Sequence, residues 1–180
     1  MKKIDLPMSE ETRMSLKAGE YVLLNGTVYT ARDAAHKKLK ELIEKGAPLP
    51  FDLHDSVIYY VGPTPAKPGH VIGSAGPTTA GRMDPYVPLL AEHGMIGMIG
   101  KGRRDASVKD AVMKNHMIYF VTVGGAGALL SHCIVKREPV AFEELLSEAV
   151  TRLEVHDFPC FVGMDCQGND IYDLDEEIEK

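Results

Sequence analysis

The chain has 180 residues, 44% hydrophobic and 26% charged, the balance of one soluble globular domain and not of a disordered, collagenous or disulfide-stapled chain. Its formal net charge of -6 gathers at one end: from Asp165 onward there are seven acids and one base, and the preceding residues are neutral overall. A solvated acidic tail over about 173–180 is the expectation, and no basic run large enough for nucleic acid is present.

Residues Tyr21 to Thr30 read Y-V-L-L-N-G-T-V-Y-T, two strand-like halves about Asn25-Gly26, a pair that suits both left-handed positions of a type I′ turn, so a β-hairpin is predicted. Thr30 and Asp33 then resemble a capping box, and Ala35, Leu39, Leu42 and Ile43 recur at helical spacing before Gly46, which predicts a helix over 31–45. Ser56 to Val61 reads as a buried strand, and a second short strand is expected over His70 to Ser74. Pro85 and Pro88 suit a helix start and Gly94 a stop. M-I-G-M-I-G, a helix from Ala106 to Asn115 and a strand from His116 to Val123 repeat the alternation. Ala149 to Val155 alternates at period two, and Cys160 to Met164 and Ile171-Tyr172 flank a turn at Gln167-Gly168-Asn169. The sum is one mixed α/β domain over residues 1–180.

Asn115 to Val135 holds no Asp, Glu, Lys or Arg, but its glycines, histidines, Asn115 and Ser131 favour strand, glycine loop and short helix over a membrane span. The start, M-K-K-I-D-L-P, lacks the apolar stretch of a signal peptide. Cys133, Cys160 and Cys166 show neither zinc nor iron–sulfur spacing, which points to reduced thiols in the core of a cytoplasmic protein. The histidines form no H-x-x-x-H or H-E-x-x-H pair, so no metal site is expected from this chain alone.

The segment Gly76-Pro77-Thr78-Thr79-Ala80-Gly81-Arg82-Met83-Asp84 concentrates chemistry: two hydroxyls, a guanidinium and a carboxylate in a loop whose glycines let backbone N–H groups approach a ligand. It nearly fits the phosphate loop G-x-x-x-x-G-K-[ST], yet Arg82 replaces the lysine and Met83 the magnesium-binding hydroxyl, which argues against nucleotide hydrolysis. The fork of Arg82 suits a planar carboxylate, with a tight turn and a surface arginine as the plain alternative. Gly124-Gly125-Ala126-Gly127-Ala128 lacks the third glycine of a dinucleotide fingerprint, so close packing of strand on helix is the expected use. Arg32 and His36, four apart, share a helix face, where a surface pair is the ordinary reading. Lys101, between two glycines directly after an apolar strand, is placed either for a ligand or for a plain turn.

The combination of G-P-T-T-A-G-R-M-D, I-G-K-G and A-R-D-A-A-H, with V-T-V-G-G-A-G-A-L-L and R-L-E-V-H-D-F-P further on, resembles the beta subunit of class I, iron–sulfur-dependent fumarate hydratases and L-tartrate dehydratases. The resemblance runs from the first predicted strands to about Tyr172. It implies a swivelling β/β/α domain with a mixed sheet, and a four-iron, four-sulfur cluster held by three cysteines of an alpha subunit rather than by this chain. It further implies an α2β2 assembly that is inactive without the alpha subunit. By the same resemblance Arg32, Arg82 and Lys101 grip the carboxylates of a small dicarboxylate substrate and Thr78 is the candidate base, with His36 and Asp84 as possible proton relays. Reversible hydration of fumarate to L-malate is the expected reaction. The alternatives are L-tartrate dehydration and a non-catalytic anion-binding or regulatory module.

Overall fold

A computed structural model describes residues 1–122 and 125–178, without the side chains of 175–178. Strand β1 (Lys2–Asp5) and helix α1 (Glu10–Ser15) precede β2 (Tyr21–Thr30), α2 (Asp33–Glu44) and β3 (Val57–Tyr59). A 3-10 turn (Ala80–Tyr86) leads into α3 (Val87–Glu92), β4 (Gly97–Gly100), α4 (Ala106–Asn115), β5 (Ile118–Val121) and α5 (Gly127–His132). Strand β6 (Ile134–Ala141), a second 3-10 segment (Glu143–Glu148), β7 (Val150–Met164) and α6 (Ile171–Ile178) complete the chain. The result is a small mixed α/β domain with seven strands in one sheet.

Strands β2, β3, β4 and β5 run parallel, and β7 pairs antiparallel with both β5 and β2, so the ladder closes into a ring of five strands. β1 extends the ring beside β2, and β6 beside β7. Side chains alternate across each strand and sort into two cores. Val57, Tyr59, Ile99, Ile118 and Phe120 meet Val22, Leu24, Leu153 and Phe158 within the ring. Their neighbours Ile58, Tyr60, Met98, Tyr119 and Val121 meet Ala35 and Leu39 of α2, Leu90 of α3 and Val108 and Val112 of α4.

Several local expectations need correction. There is no hairpin at Asn25-Gly26: β2 runs straight through it. The pair is used at a bulge, where Leu24 faces Phe158 and Gly26 faces Val155, so β7 carries one residue more than β2. Asp157 takes φ 49° and its N–H donates to the Asn25 side chain at 3.0 Å. Gly26 has φ +117°, and a Cβ there would stand 2.7 Å from the Leu6 carbonyl oxygen. The same bulge reverses the phase of β7, with Leu153 and Val155 inward before it and Phe158, Cys160 and Val162 inward after it, so one strand reads as two in the sequence.

The capping box does not form, because the Thr30 hydroxyl donates to the Ala149 carbonyl and accepts from the Thr151 N–H, leaving Arg32 at the N-cap of α2. His70 to Ser74 is a loop closed on Thr64, whose side-chain oxygen accepts from Ser74 N and whose carbonyl accepts from Gly73 N. Ile171 and Tyr172 open α6 instead of a strand. Asp165 builds the preceding turn: buried, its carboxylate accepts from the N–H groups of Ala18, Gln167 and Asn169. Asp165 and Asp170 are therefore structural and not part of a solvated run. Val123, the end of the strand expected over His116 to Val123, Gly124, Glu179 and Lys180 lie outside the described residues, and among those described no helix is long and apolar enough to cross a membrane.

Candidate active site at the carboxyl edge of the parallel strands

Parallel strands deliver the loops at their carboxyl ends to a common edge, the usual ligand position in such sheets. Here β2 leads to Arg32, β3 to Tyr60 and Gly62, and β4 to Lys101. The Gly76–Asp84 loop is stitched onto that edge by its backbone. Thr78 N donates to the Tyr60 carbonyl at 2.8 Å, Thr79 forms a β-bridge with Lys101, and Ala80 N donates to the Lys101 carbonyl at 2.9 Å. The glycine loop after β5 supports it from behind: Ala75 N donates to the Gly127 carbonyl, and a Cβ on Gly127 would lie 2.9 Å from Gly76 N. Its glycine thus serves close packing, but against this loop and not between strand and helix.

The side chains converge on the same spot. Arg82 donates through Nη2 to the Thr78 hydroxyl oxygen at 2.8 Å, and its Nε forms an ion pair with the Asp33 carboxylate at 3.1 Å. Asp33 opens α2 next to Arg32, so Arg32, Thr78 and Arg82 lie near the start of that helix, where the Glu148 carboxylate already accepts from Ala34 N at 3.3 Å. The guanidinium of Arg32 lies flat on Gly62: a Cβ there would fall 2.3 Å from Nη1. Its Nε is buried and has no hydrogen-bond partner among the described residues, a donor group awaiting an acceptor. Lys101 joins the patch through its backbone, with a partly buried side chain.

His36 is fully buried, not the surface partner of Arg32 that spacing suggested. Its Nδ1 donates to the Arg32 carbonyl at 2.8 Å and its ring packs against Tyr60 and Tyr86. Burial pulls its pKa down to about 4, partly opposed by that hydrogen bond and by Asp33, so the imidazole is neutral near pH 7 and its buried Nε2 presents a lone pair. Asp84 turns away from the patch into the interior. One oxygen accepts from Arg104 Nε at 2.6 Å and the other from Asp105 N at 2.8 Å.

Sequence reasoning missed Gly62, Tyr60 and Arg104. Only the second arginine of K-G-R-R offered a signal, and it is spent on Asp84.

The cysteines do not fit an iron–sulfur cluster. Burial pushes the Cys166 thiol up to about 11 and the Cys160 and Cys133 thiols up as well, disfavouring the thiolate a cluster needs. Among the described residues no group of three His, Cys, Asp or Glu side chains could hold a metal ion.

The arrangement is a mixed α/β domain that carries arginine, lysine and threonine side chains at the ends of its parallel strands. The chain belongs to the fumarase C-terminus family, whose family model matches residues 1–174. It is 44% identical over 176 residues to fumarate hydratase 2 of Leishmania major, covering 94% of this chain and 31% of that protein. It is 48% identical over 152 residues to the anaerobic class I fumarate hydratase of Escherichia coli (strain K12), covering 83% of this chain and 28% of that protein. Against the putative L(+)-tartrate dehydratase subunit beta of Methanocaldococcus jannaschii identity is 39% over 171 residues, covering 92% of this chain and 86% of that subunit. The chain thus spans about a third or less of the fumarate hydratases it matches but most of the beta subunit.

Proposed function

We propose that this chain is the beta subunit of a hydro-lyase and supplies half of its active site, with reversible hydration of fumarate to L-malate as the reaction. The observation that carries the reading is the Arg82–Thr78 hydrogen bond on the edge that also bears Arg32 and Lys101. A 2-enedioate carries two carboxylates, and the patch offers two guanidinium groups and an ammonium to meet them. An arriving carboxylate replaces Asp33 as the partner of Arg82.

Thr78 then acts on the proton. In dehydration its deprotonated oxygen takes the proton from the carbon next to a carboxylate while hydroxide leaves the other carbon, and in hydration it returns that proton while hydroxide adds there. A threonine hydroxyl is a very weak acid, so this role requires its oxygen to be stabilised as an anion. A hydrogen bond from a guanidinium does that, and cations on the substrate carboxylate stabilise the charge that develops on the carbon. The family resemblance implies a four-iron, four-sulfur cluster that supplies the Lewis acid for water activation. The thiols of this chain do not suit it, so a separate cluster-bearing alpha subunit is proposed to hold it, in an α2β2 enzyme of the cytoplasm.

L-tartrate dehydration is the second reading, favoured by the match in length to the tartrate dehydratase beta subunit. An anaerobic assay of the chain alone, and of the chain coexpressed with its cluster-bearing partner, decides. Fumarate turnover only with the partner is expected. Turnover of L-tartrate alone makes the second reading the correct one, and an intact cluster with neither activity leaves an anion-binding module.

A further inference from the structure

Arg104 is a charged side chain sealed from solvent: its side chain is 0% exposed and that of its partner Asp84 5%. A buried ion pair is a poor device for stability alone, because taking both charges out of water costs about what their attraction returns, and an apolar filling of similar size often serves as well. Its directional bonds do fix geometry. The guanidinium donates to Asp84 at 2.6 Å, to Met98 Sδ at 3.5 Å and to the Tyr60 hydroxyl at 3.4 Å, and it lies over the rings of Tyr60 and Tyr119, 5.3 and 4.6 Å from their centroids.

Each of those partners is one step from a residue of the patch. Asp84 belongs to the turn that carries Arg82. The Tyr60 carbonyl holds the Thr78 N–H, and the edge of the Tyr60 ring meets His36, which holds the Arg32 carbonyl. Met98 lies on β4, which ends just before Lys101. The Tyr119 hydroxyl donates to the Gly102 carbonyl at 2.9 Å, so it holds the loop on the other side of Lys101. Three separate chain segments, after β3, before α3 and after β4, are thus tied to a single guanidinium.

We propose that Arg104 is a positioning residue that sets the spacing of Thr78, Arg82 and Lys101 without itself touching substrate. The effect on turnover rests on the hydro-lyase reading above, whereas the effect on loop geometry does not. The test compares Arg104→Met and Arg104→Lys with wild type in two measurements. In the assembled enzyme, Arg104→Met is expected to lower kcat/KM for fumarate at least tenfold, with KM raised, and Arg104→Lys to recover part of the loss by keeping the charge opposite Asp84. A merely structural arginine would lower the unfolding temperature and the yield, leaving KM per intact site unchanged.

In the full chain, hydrogen exchange is read at the amides of Thr78 and Ala80, which bond to Tyr60 and Lys101. Their protection is expected to fall at least tenfold in Arg104→Met, with the distant Leu6 amide, bonded to Asn25, unaffected. If Arg104→Met does not accumulate as folded protein, Arg104→Lys carries the same comparison with a smaller expected loss. A lysine offers a point charge in place of a fork and cannot hold Asp84 and Tyr60 together. Wild-type KM together with wild-type protection of both amides overturns the proposal. Absence of turnover in the wild-type assembly overturns the hydro-lyase reading instead, and the exchange result then decides the positioning role by itself.

Discussion

Four parallel strands and one antiparallel strand close the same ring, yet they are used differently. β2 and β4 each run directly into a cationic residue, and β3 and β5 into the loops that hold the Gly76–Asp84 segment. β7, the longest strand, gives its inward side chains Leu153, Val155, Phe158, Cys160 and Val162 to the core and carries none of the candidate residues. Parallel strands bring successive loops to one edge, whereas antiparallel β7 meets that edge only where it begins, with Thr151 paired to Thr30 and the preceding Glu148 carboxylate accepting from Ala34 N at 3.3 Å. The proposed activity and the stability of the core thus fall on different stretches of chain, and variants should separate them.

The largest effect is expected on the β7 side. Phe158 is fully buried and meets Tyr59 at 5.3 Å between ring centroids, so Phe158→Ala should cost roughly 3–5 kcal/mol in urea unfolding, with near-wild-type KM in the molecules that remain folded. Next comes His36, which belongs to both regions. Its folded-state pKa of about 4 lies below the unfolded 6.5, so between those values the unfolded chain binds more protons and stability falls as the pH falls. The His36 contribution is fully present above about pH 6.5 and is lost toward pH 4, amounting to about 3 kcal/mol. His36→Asn, which keeps a donor for the Arg32 carbonyl but does not titrate, should flatten unfolding free energy against pH across that window.

Two smaller effects belong to the patch alone. Arg82→Lys keeps the charge but loses the fork that reaches Thr78 and Asp33 together, and should lower kcat/KM about tenfold, or about 1.4 kcal/mol, with little change in unfolding midpoint. Gly62→Ala meets only the flexible end of Arg32, so it should raise KM about threefold and shift stability by less than about 0.5 kcal/mol.

What the sequence disclosed follows the same division. Helix α4 was legible because its signals are local: Asp105 caps it by accepting from Val108 N, and Val108, Ala111 and Val112 lie at helical spacing. Thr78, Arg82 and Lys101 stood out because glycines flank them in loops and Arg32 because of its spacing from His36, while the roles expected of all four came from the family resemblance. Asn25-Gly26 misled because a bulge and a type I′ turn ask for the same residues, and only the position of Leu6 and Asp157 across the sheet tells them apart. Gly62 was invisible for that reason too, and Arg104 showed only as one arginine of K-G-R-R: their meaning lies in Asp84, Tyr60 and Arg32, which are distant along the chain and adjacent only when folded.

The most direct test of the central claim, that this edge does chemistry, is the turnover number of Thr78→Ala in the assembled enzyme, measured anaerobically with fumarate beside its unfolding midpoint. The substitution removes one hydroxyl from a partly exposed loop and should leave the midpoint within about 0.5 kcal/mol of wild type while kcat falls at least a hundredfold, about 2.7 kcal/mol. Turnover close to that of wild type would contradict it.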